Sequence, residues 1–185
     1  MENKKIEKID FTHEALEEHY YQCEFAKCYL SDMKISKVIF EECTFKECNF
    51  SLSKVHAASW QNVVFEGCKM TGMDFTNSNK FSLSLEFNDC ILSYALFTGM
   101  NLKGTRFSNS DLQNVDFADA DLTNSAFVNC DLTSTTFQHT NLEKADLTSA
   151  RNYSINPFNN RLKKARFSRY GLEGLLAGTG VEIID

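Results

Sequence analysis

A single domain built from a five-residue internal repeat is the fold class this sequence predicts, and three observations predict it. From Tyr20 to Leu147 nearly every fifth residue is apolar: Phe25, Leu30, Ile35, Phe40, Phe45, Phe50, Val55, Trp60, Phe65, Met70 and Phe75, then Phe87, Leu92, Phe97, Leu102, Phe107 and onward. A period of five is neither the 3.6 of a helix nor the 2 of a strand. The residue two places before each apolar one is small or thin, and all seven cysteines (Cys23, Cys28, Cys43, Cys48, Cys68, Cys90 and Cys130) fall on that position. The other three positions are mostly Ser, Thr, Asn, Asp, Glu and Lys. Each unit therefore turns one large and one small side chain inward and polar ones outward, and such self-similarity decides architecture before any local propensity does.

The elements follow in chain order. Residues 1–19 are off register and are expected to form an N-terminal cap, because the first unit of a repeat stack has no neighbour to cover it. Residues 20–150 carry the repeat. Its one break separates Phe75 from Phe87 by twelve residues, two more than two units, and Phe81, Leu83, Leu85 and Phe87 alternate instead. This predicts a two-residue bulge within 77–85, near Asn79 and Lys80. The only proline, Pro157, lies beyond the repeat, where its missing N–H breaks no ladder. Phe167 falls twenty residues after Leu147 and predicts one last partial coil. Ser168 is placed to N-cap a short helix through Leu176, closed by Gly178 or Gly180, and Gly171 and Gly174 weaken that helix by about 1 kcal/mol each. Val181–Ile184 reads as a short strand. Tyr170, Leu172, Leu175 and Leu176 make an apolar stripe at helical spacing; with Val181 and Ile183 they are the candidate dimer interface, residues 151–185 serving as C-terminal cap and dimerisation segment.

Composition bounds the function. A chain of 185 residues with 43% hydrophobic content suits one folded domain. It has no apolar run of membrane-spanning length, and its charged N-terminus lacks a signal core, so a cytoplasmic protein without membrane contact is expected. Seven cysteines are then expected to be reduced. Cys23 and Cys28, like Cys43 and Cys48, lack zinc-chelating spacing and read as thin core fillers. His13, His19, His56 and His139 form no motif, and no nucleophile–base set or phosphate-cradling glycine loop appears. No catalytic residue, metal site or cofactor is therefore expected, and the chain does not read as an enzyme.

Charge is the better lead. The net charge is −6, which disfavours direct nucleic-acid binding, since phosphate contacts need clustered Lys and Arg. Between residues 107 and 142 there are five aspartates (Asp111, Asp116, Asp119, Asp121 and Asp131) and no Lys or Arg. Asp111 and Asp131, twenty apart, should share a face, with Asp116, Asp119 and Asp121 turning onto its neighbours. Such a band is either a solvated face or a partner surface that steers toward basic protein. Residues 151–170 reverse the sign, with Arg151, Arg161, Lys163, Lys164, Arg166 and Arg169.

Ala120-Asp121-Leu122-Thr123-Asn124 and Ala145-Asp146-Leu147-Thr148-Ser149 resemble the A(D/N)LXX unit of pentapeptide repeat proteins. The resemblance implies an all-β fold, a right-handed quadrilateral β-helix of about 6–7 coils, with four units to a coil and same-face residues twenty apart. Within that family the chain is similar to the Qnr-type quinolone-resistance branch, in Glu7-Lys8-Ile9-Asp10, in the irregular Asn77–Leu85 stretch, and in Tyr170, Leu175-Leu176 and Gly180-Val181-Glu182-Ile183-Ile184. That likeness implies a homodimer whose acidic surface imitates duplex DNA, engages DNA gyrase or topoisomerase IV and antagonises quinolones. The two long loop insertions of the Gram-negative members are missing, since Phe45 to Phe50 and Phe97 to Phe107 run through uninterrupted. A structural or adaptor rod for an unrelated protein partner is the alternative function.

Overall fold

The computed structural model describes residues 1–176, 178–182 and 184. The chain winds into a parallel β-solenoid of about eight turns. Its first face is a nine-stranded parallel sheet, from Lys5–Glu7 through Glu24–Ala26, Thr44–Lys46, Val63–Glu66, Leu85–Asn88, Arg106–Ser108, Ala126–Val128 and Asp146–Leu147 to Arg166–Phe167. Within it Phe25 pairs with Phe45, Phe45 with Phe65, Phe87 with Phe107 and Phe107 with Phe127. The second face carries Leu30, Phe50, Met70, Leu92, Leu112 and Leu132 inward, and the third Ile35, Val55, Phe75, Phe97, Phe117 and Phe137. The fourth carries Tyr20, Phe40 and Trp60 on a three-stranded sheet, and Leu102, Leu122 and Leu142 beyond it. At about 4.8 Å per rung, eight turns make a rod about 38 Å long.

The interior is filled by aromatic stacks. Phe107 lies 5.1 Å from both Phe87 and Phe127, nearly parallel to each, and edge-on to Phe97 and Phe117 of the third face at 6.3 and 5.7 Å. Offset-stacked and edge-to-face contacts are the arrangements that aromatic quadrupoles favour. The small inward position does more than fill space. Its thiol or hydroxyl donates to the carbonyl of the apolar residue one coil earlier, as Cys68 Sγ does to Phe45 O (3.3 Å), Cys90 Sγ to Phe65 O (3.5 Å), Thr135 Oγ1 to Leu112 O (2.7 Å) and Thr140 Oγ1 to Phe117 O (2.9 Å). A residue there that is thin and a hydrogen-bond donor adds a second bond to a carbonyl that already accepts a backbone N–H, as Leu112 O does from Val115 N and Phe117 O from Ala120 N.

Nearly every unit ends at a corner, two residues after its apolar one, where the backbone is left-handed; Asn77 and Ser149 are exceptions. Gln22, Lys27, Asp32 and Lys37 have φ between 51° and 58°, and Asn109, Asn114, Asn124 and Asn129 follow suit in the later coils. The corner N–H bonds to the following coil, as Lys27 N does to Lys46 O (2.8 Å). Asn and Asp tolerate this conformation by local hydrogen bonding, while other L-residues pay about 1–2 kcal/mol.

The stack is longer than the repeat register alone predicts, about eight turns where 6–7 are expected, because both ends add rungs. Residues 1–19 close the N-terminal end as a coil of their own, with Ile6 opposite Phe25 and Phe11 buried. Their register is nineteen residues, Lys5 pairing with Glu24, which hides the coil from a strict period of five. At the other end Phe167 pairs with Leu147. Among the insertions, the register step between Phe65 and Phe87 is twenty-two. The extra residues bulge between Asn79, whose N–H reaches Ala58 O, and Ser84, whose N–H reaches Trp60 O. Phe81 is left 77% exposed there. The fourth-face sheet stops at Trp60 below this bulge, and Trp60 Nε1 is buried without an acceptor.

Ser168 caps a 3-10 helix, Arg169–Leu175, its Oγ accepting from Tyr170 N at 3.2 Å. The two glycines of that helix are required by contact. A Cβ on Gly171 would stand 2.8 Å from Tyr153 Cζ, and one on Gly174 would stand 2.7 Å from Tyr153 Cδ2. In a 3-10 helix residues three apart eclipse, so both glycines lie against one ring. Gly178 and Gly180 follow with φ of 73° and 74°. Val181, Glu182 and Ile184 join no strand, contrary to the expected Val181–Ile184 ladder, and Ile183 lies outside the described residues. The last coil ends at Phe167, and the 3-10 helix packs back on the preceding coil, where Ile155 N donates to Gly174 O at 2.8 Å.

Candidate functional site

The filled interior leaves chemistry to the outer surface. Among the described residues no three His, Cys, Asp or Glu side chains converge as a metal site requires. His56 and His139 are exposed, and all seven cysteines are buried as free thiols. Burial pushes the Cys43 and Cys130 thiols up to about 11.

The five aspartates of the acidic band divide into three groups. Asp111, Asp116, Asp121 and Asp131 all immediately precede an inward leucine or phenylalanine, and each carboxylate closes a local turn. Asp111 Oδ1 accepts from Gln113 N at 2.9 Å and Asp116 Oδ1 from Ala118 N at 2.8 Å. Asp121 accepts from Thr123 N at 3.1 Å and Asp131 from Thr133 N at 3.0 Å. These are Asx turns, the side chain standing in for a backbone acceptor two residues back. Asp111 and Asp116 also accept from hydroxyls one coil below, Ser93 Oγ (2.7 Å) and Thr98 Oγ1 (2.8 Å).

Two of the four are neutralised. Lys103 Nζ lies 3.2 Å from Asp121, and Arg151 Nε 3.6 Å from Asp131. Burial raises the Asp131 carboxyl, but hydrogen bonds from Thr133 and Asn152 outweigh it and hold the group below the usual range; Asp121 behaves alike, through Thr123 and Lys103. Among the described residues Asp111 and Asp116 have no cationic partner within 4 Å. Asp119 differs from all four. It is a corner residue with φ 58°, exposed, and 3.7 Å from His139 Nδ1, a pair charged only when the imidazole is protonated. Parallel bridges place Asp111 beside Asp131 on the second face, Asp116 beside Leu96 and Thr136 on the third, and Asp121 beside Asn101 and Asn141 on the fourth. The band thus spans three faces, and its unpaired charges sit on the second and third and on the corners that end the third. The basic segment answers other acids of the chain: Arg161 meets Glu143 at 2.7 Å and Arg166 meets Asp146 at 3.0 Å.

The C-terminal candidates also divide. Leu175 packs against the core. Tyr170 is 94% exposed, and Leu172, Leu176 and Val181 are exposed beside it.

One group of surface residues has no counterpart in the sequence reading. Leu52, Ile91, Tyr94 and Leu96 are large, apolar and exposed, all on the second and third faces or the corner between them. The signal was present in the register: they occupy outward positions, one before or two after an inward residue, where the repeat is mostly polar.

The family whose description is "Pentapeptide repeat region" matches residues 19–86 and 78–147. The chain is a member of the pentapeptide repeat family. Two solved structures of trypsin-treated QnrB1, described as a plasmid-mediated fluoroquinolone resistance protein, share its fold. The first is 19% identical with a TM-score of 0.77 and covers 100% of this chain and 91% of its own. The second is 17% identical with a TM-score of 0.65, covering 100% and 97%. No curated protein matches this chain by sequence. At these identities the likeness is one of fold, and it extends over the whole chain, irregular ends included.

Proposed function

We propose that this repeat protein is a non-enzymatic, cytoplasmic binding protein that engages DNA gyrase or topoisomerase IV through its acidic band and antagonises quinolones. The observation that carries the reading is the pair Asp111 and Asp116, half-exposed on adjoining faces with no cation beside them while their neighbours Asp121 and Asp131 are neutralised. Unpaired carboxylates held in fixed turns project a negative field without reorganisation, which raises encounter rates with a basic surface. The description of QnrB1 as a fluoroquinolone resistance protein agrees with this function. The rod acts as a whole surface, because its interior is packed with side chains.

The test is a supercoiling assay with purified gyrase and a fluoroquinolone. Added protein restores supercoiling and binds gyrase or topoisomerase IV at micromolar concentration. Absence of both binding and protection sinks the reading, and a different partner recovered by pull-down with no topoisomerase effect supports the adaptor rod instead.

The protein acts as a homodimer through its C-terminal segment on this reading. Exposed Tyr170, Leu172, Leu176 and Val181 supply the apolar contact, and Leu175, turned inward, anchors that segment to its own coil. Leu172→Asp with Leu176→Asp yields monomers in light scattering and leaves the rod folded; a monomeric wild type overturns the dimer.

A further inference from the structure

The repeat keeps most large apolar side chains inside, and apart from Tyr29 and the bulge residue Phe81 the exposed exceptions within it are grouped. Ile91 and Leu96 take outward positions on adjoining faces of one coil, and Tyr94 is the corner between them; they are 45%, 37% and 60% exposed. On the next coil parallel bridges put Asp111 beside Ile91 and Asp116 beside Leu96, about 4.8 Å away. Each flanking apolar residue is therefore one rung from an unpaired carboxylate. Two coils back along the corner column stands Leu52, with Gly72 between. A Cβ on Gly72 would be 2.9 Å from Leu52 Cδ2, so Leu52 leans over the glycine and the floor toward Tyr94 stays low.

The corner backbone sharpens the contrast. Among the described non-glycine residues with positive φ, Leu52 (61°) and Tyr94 (63°) are the two that are large and apolar; the rest are polar or charged, apart from Ala57. Left-handed backbone disfavours a bulky L side chain, so neither is placed there for the fold.

We infer that Ile91, Tyr94, Leu96 and Leu52 are the apolar anchor of a protein-docking surface, and that its occupant is a topoisomerase segment presenting Arg or Lys next to an apolar side chain. The inference rests on the proposed function and deepens it. The partner's apolar residue seats on the low corner between Leu52 and Tyr94. Its cation reaches Asp111 or Asp116, and a guanidinium can also lie over the Tyr94 ring. Tyrosine surrounded by such contacts is a common hot spot of protein interfaces. An acidic partner is repelled by the same two carboxylates.

The test uses the full chain with purified gyrase and topoisomerase IV. Tyr94→Gly suits the corner backbone better than tyrosine does, so its thermal midpoint equals or exceeds that of wild type. Its affinity for the topoisomerase nevertheless falls at least about tenfold, with parallel loss of protection. Leu96→Thr behaves alike in binding. A photo-crosslinking phenylalanine analogue at position 94 captures the topoisomerase, and the same group at Lys144, on the corner across the rod, does not. If wild type protects gyrase while Tyr94→Gly protects equally and position 94 gives no crosslink, the docking surface is wrong and the proposed function stands. If wild type neither binds nor protects, the proposed function fails, and this inference falls with it.

Discussion

Asparagine and alanine at Asp111, Asp116 and Asp119 separate what the acidic band does for the fold from what it does for recognition. Asparagine removes the three charges but keeps a carbonyl oxygen where Asp111 accepts from Gln113 N and Asp116 from Ala118 N. Its amide can also donate to the hydroxyls of Ser93 and Thr98, which now donate to the carboxylates. Alanine deletes all four bonds. At about 1 kcal/mol per hydrogen bond, the alanine triple variant loses about 4 kcal/mol. The asparagine triple loses about 1–2 kcal/mol, the difference between charged and neutral acceptors. Against a total stability of about 5–15 kcal/mol these are easily told apart by urea midpoint at constant m-value. Lysine at the same positions would break the turns and reverse the charge together, so charge reversal cannot separate the two roles. The asparagine triple variant should associate with the topoisomerase on the order of tenfold more slowly and lose most of the salt dependence of its on-rate. Equal stability of the alanine and asparagine variants would refute the turn argument. Unchanged association and salt slope would refute the claim that the partner reads these charges.

Other outcomes follow from the stack. Phe107→Ala, between two parallel rings and two edge-on ones, should cost about 3–5 kcal/mol in urea unfolding, and Phe167→Ala, half-buried at the last rung, well under half of that; equal costs would contradict stability shared along neighbouring coils. The seven buried thiols should resist a thiol reagent in the native protein and all react on unfolding; rapid native labelling at Cys43 or Cys130, whose thiols burial pushes up to about 11, would show that the coils open. Asp121, Asp131 and Asp146 have carboxyls held below their ordinary value, Asp146 chiefly by the Thr148 hydroxyl. Their contribution to stability is present above an unfolded pKa of about 3.9 and is lost as pH falls through the lower folded values. Thermal melts should therefore fall steeply below about pH 4, and less steeply in Asp131→Asn; a variant with the wild-type acid slope would remove Asp131 from the account.

The acidic band shows how a sequence pattern can be right about position and silent about role. Asp111 and Asp131 share a face as their spacing of twenty requires. That four of the five aspartates serve Asx turns was implicit in the A(D/N)LXX unit, where Asp and Asn interchange: what they have in common is an acceptor oxygen, and charge is not needed for the turn. Which carboxylates remain unpaired depended on Lys103 and Arg151 arriving eighteen and twenty residues away along the chain, one coil before or after. The exposed set around Tyr94 was legible as a violation of the outward-polar rule, but its members are scattered over forty-five residues of sequence and meet only where two faces join.

The sequence by itself determined the solenoid. A strict period of five, one large and one thin inward residue to each unit and no proline in the rod leave the backbone one way to bury every phenylalanine, since each coil can cover its core only with the coils beside it. It also placed the break and the last rung at Phe167. The tertiary structure decided the rest at the points where register slips or side chains meet across coils. A nineteen-residue first coil added a turn that the period could not announce. The ring of Tyr153 made Gly171 and Gly174 necessary where propensity counted them as weaknesses. The cysteine position proved to be a donor as well as a filler, because the carbonyl it reaches lies twenty-three residues back, or twenty-five across the bulge, and becomes a neighbour only when the chain has gone once around. Periodicity encodes repetition along the chain, whereas hydrogen bonding and charge pairing across coils depend on which side chains the winding sets one rung apart.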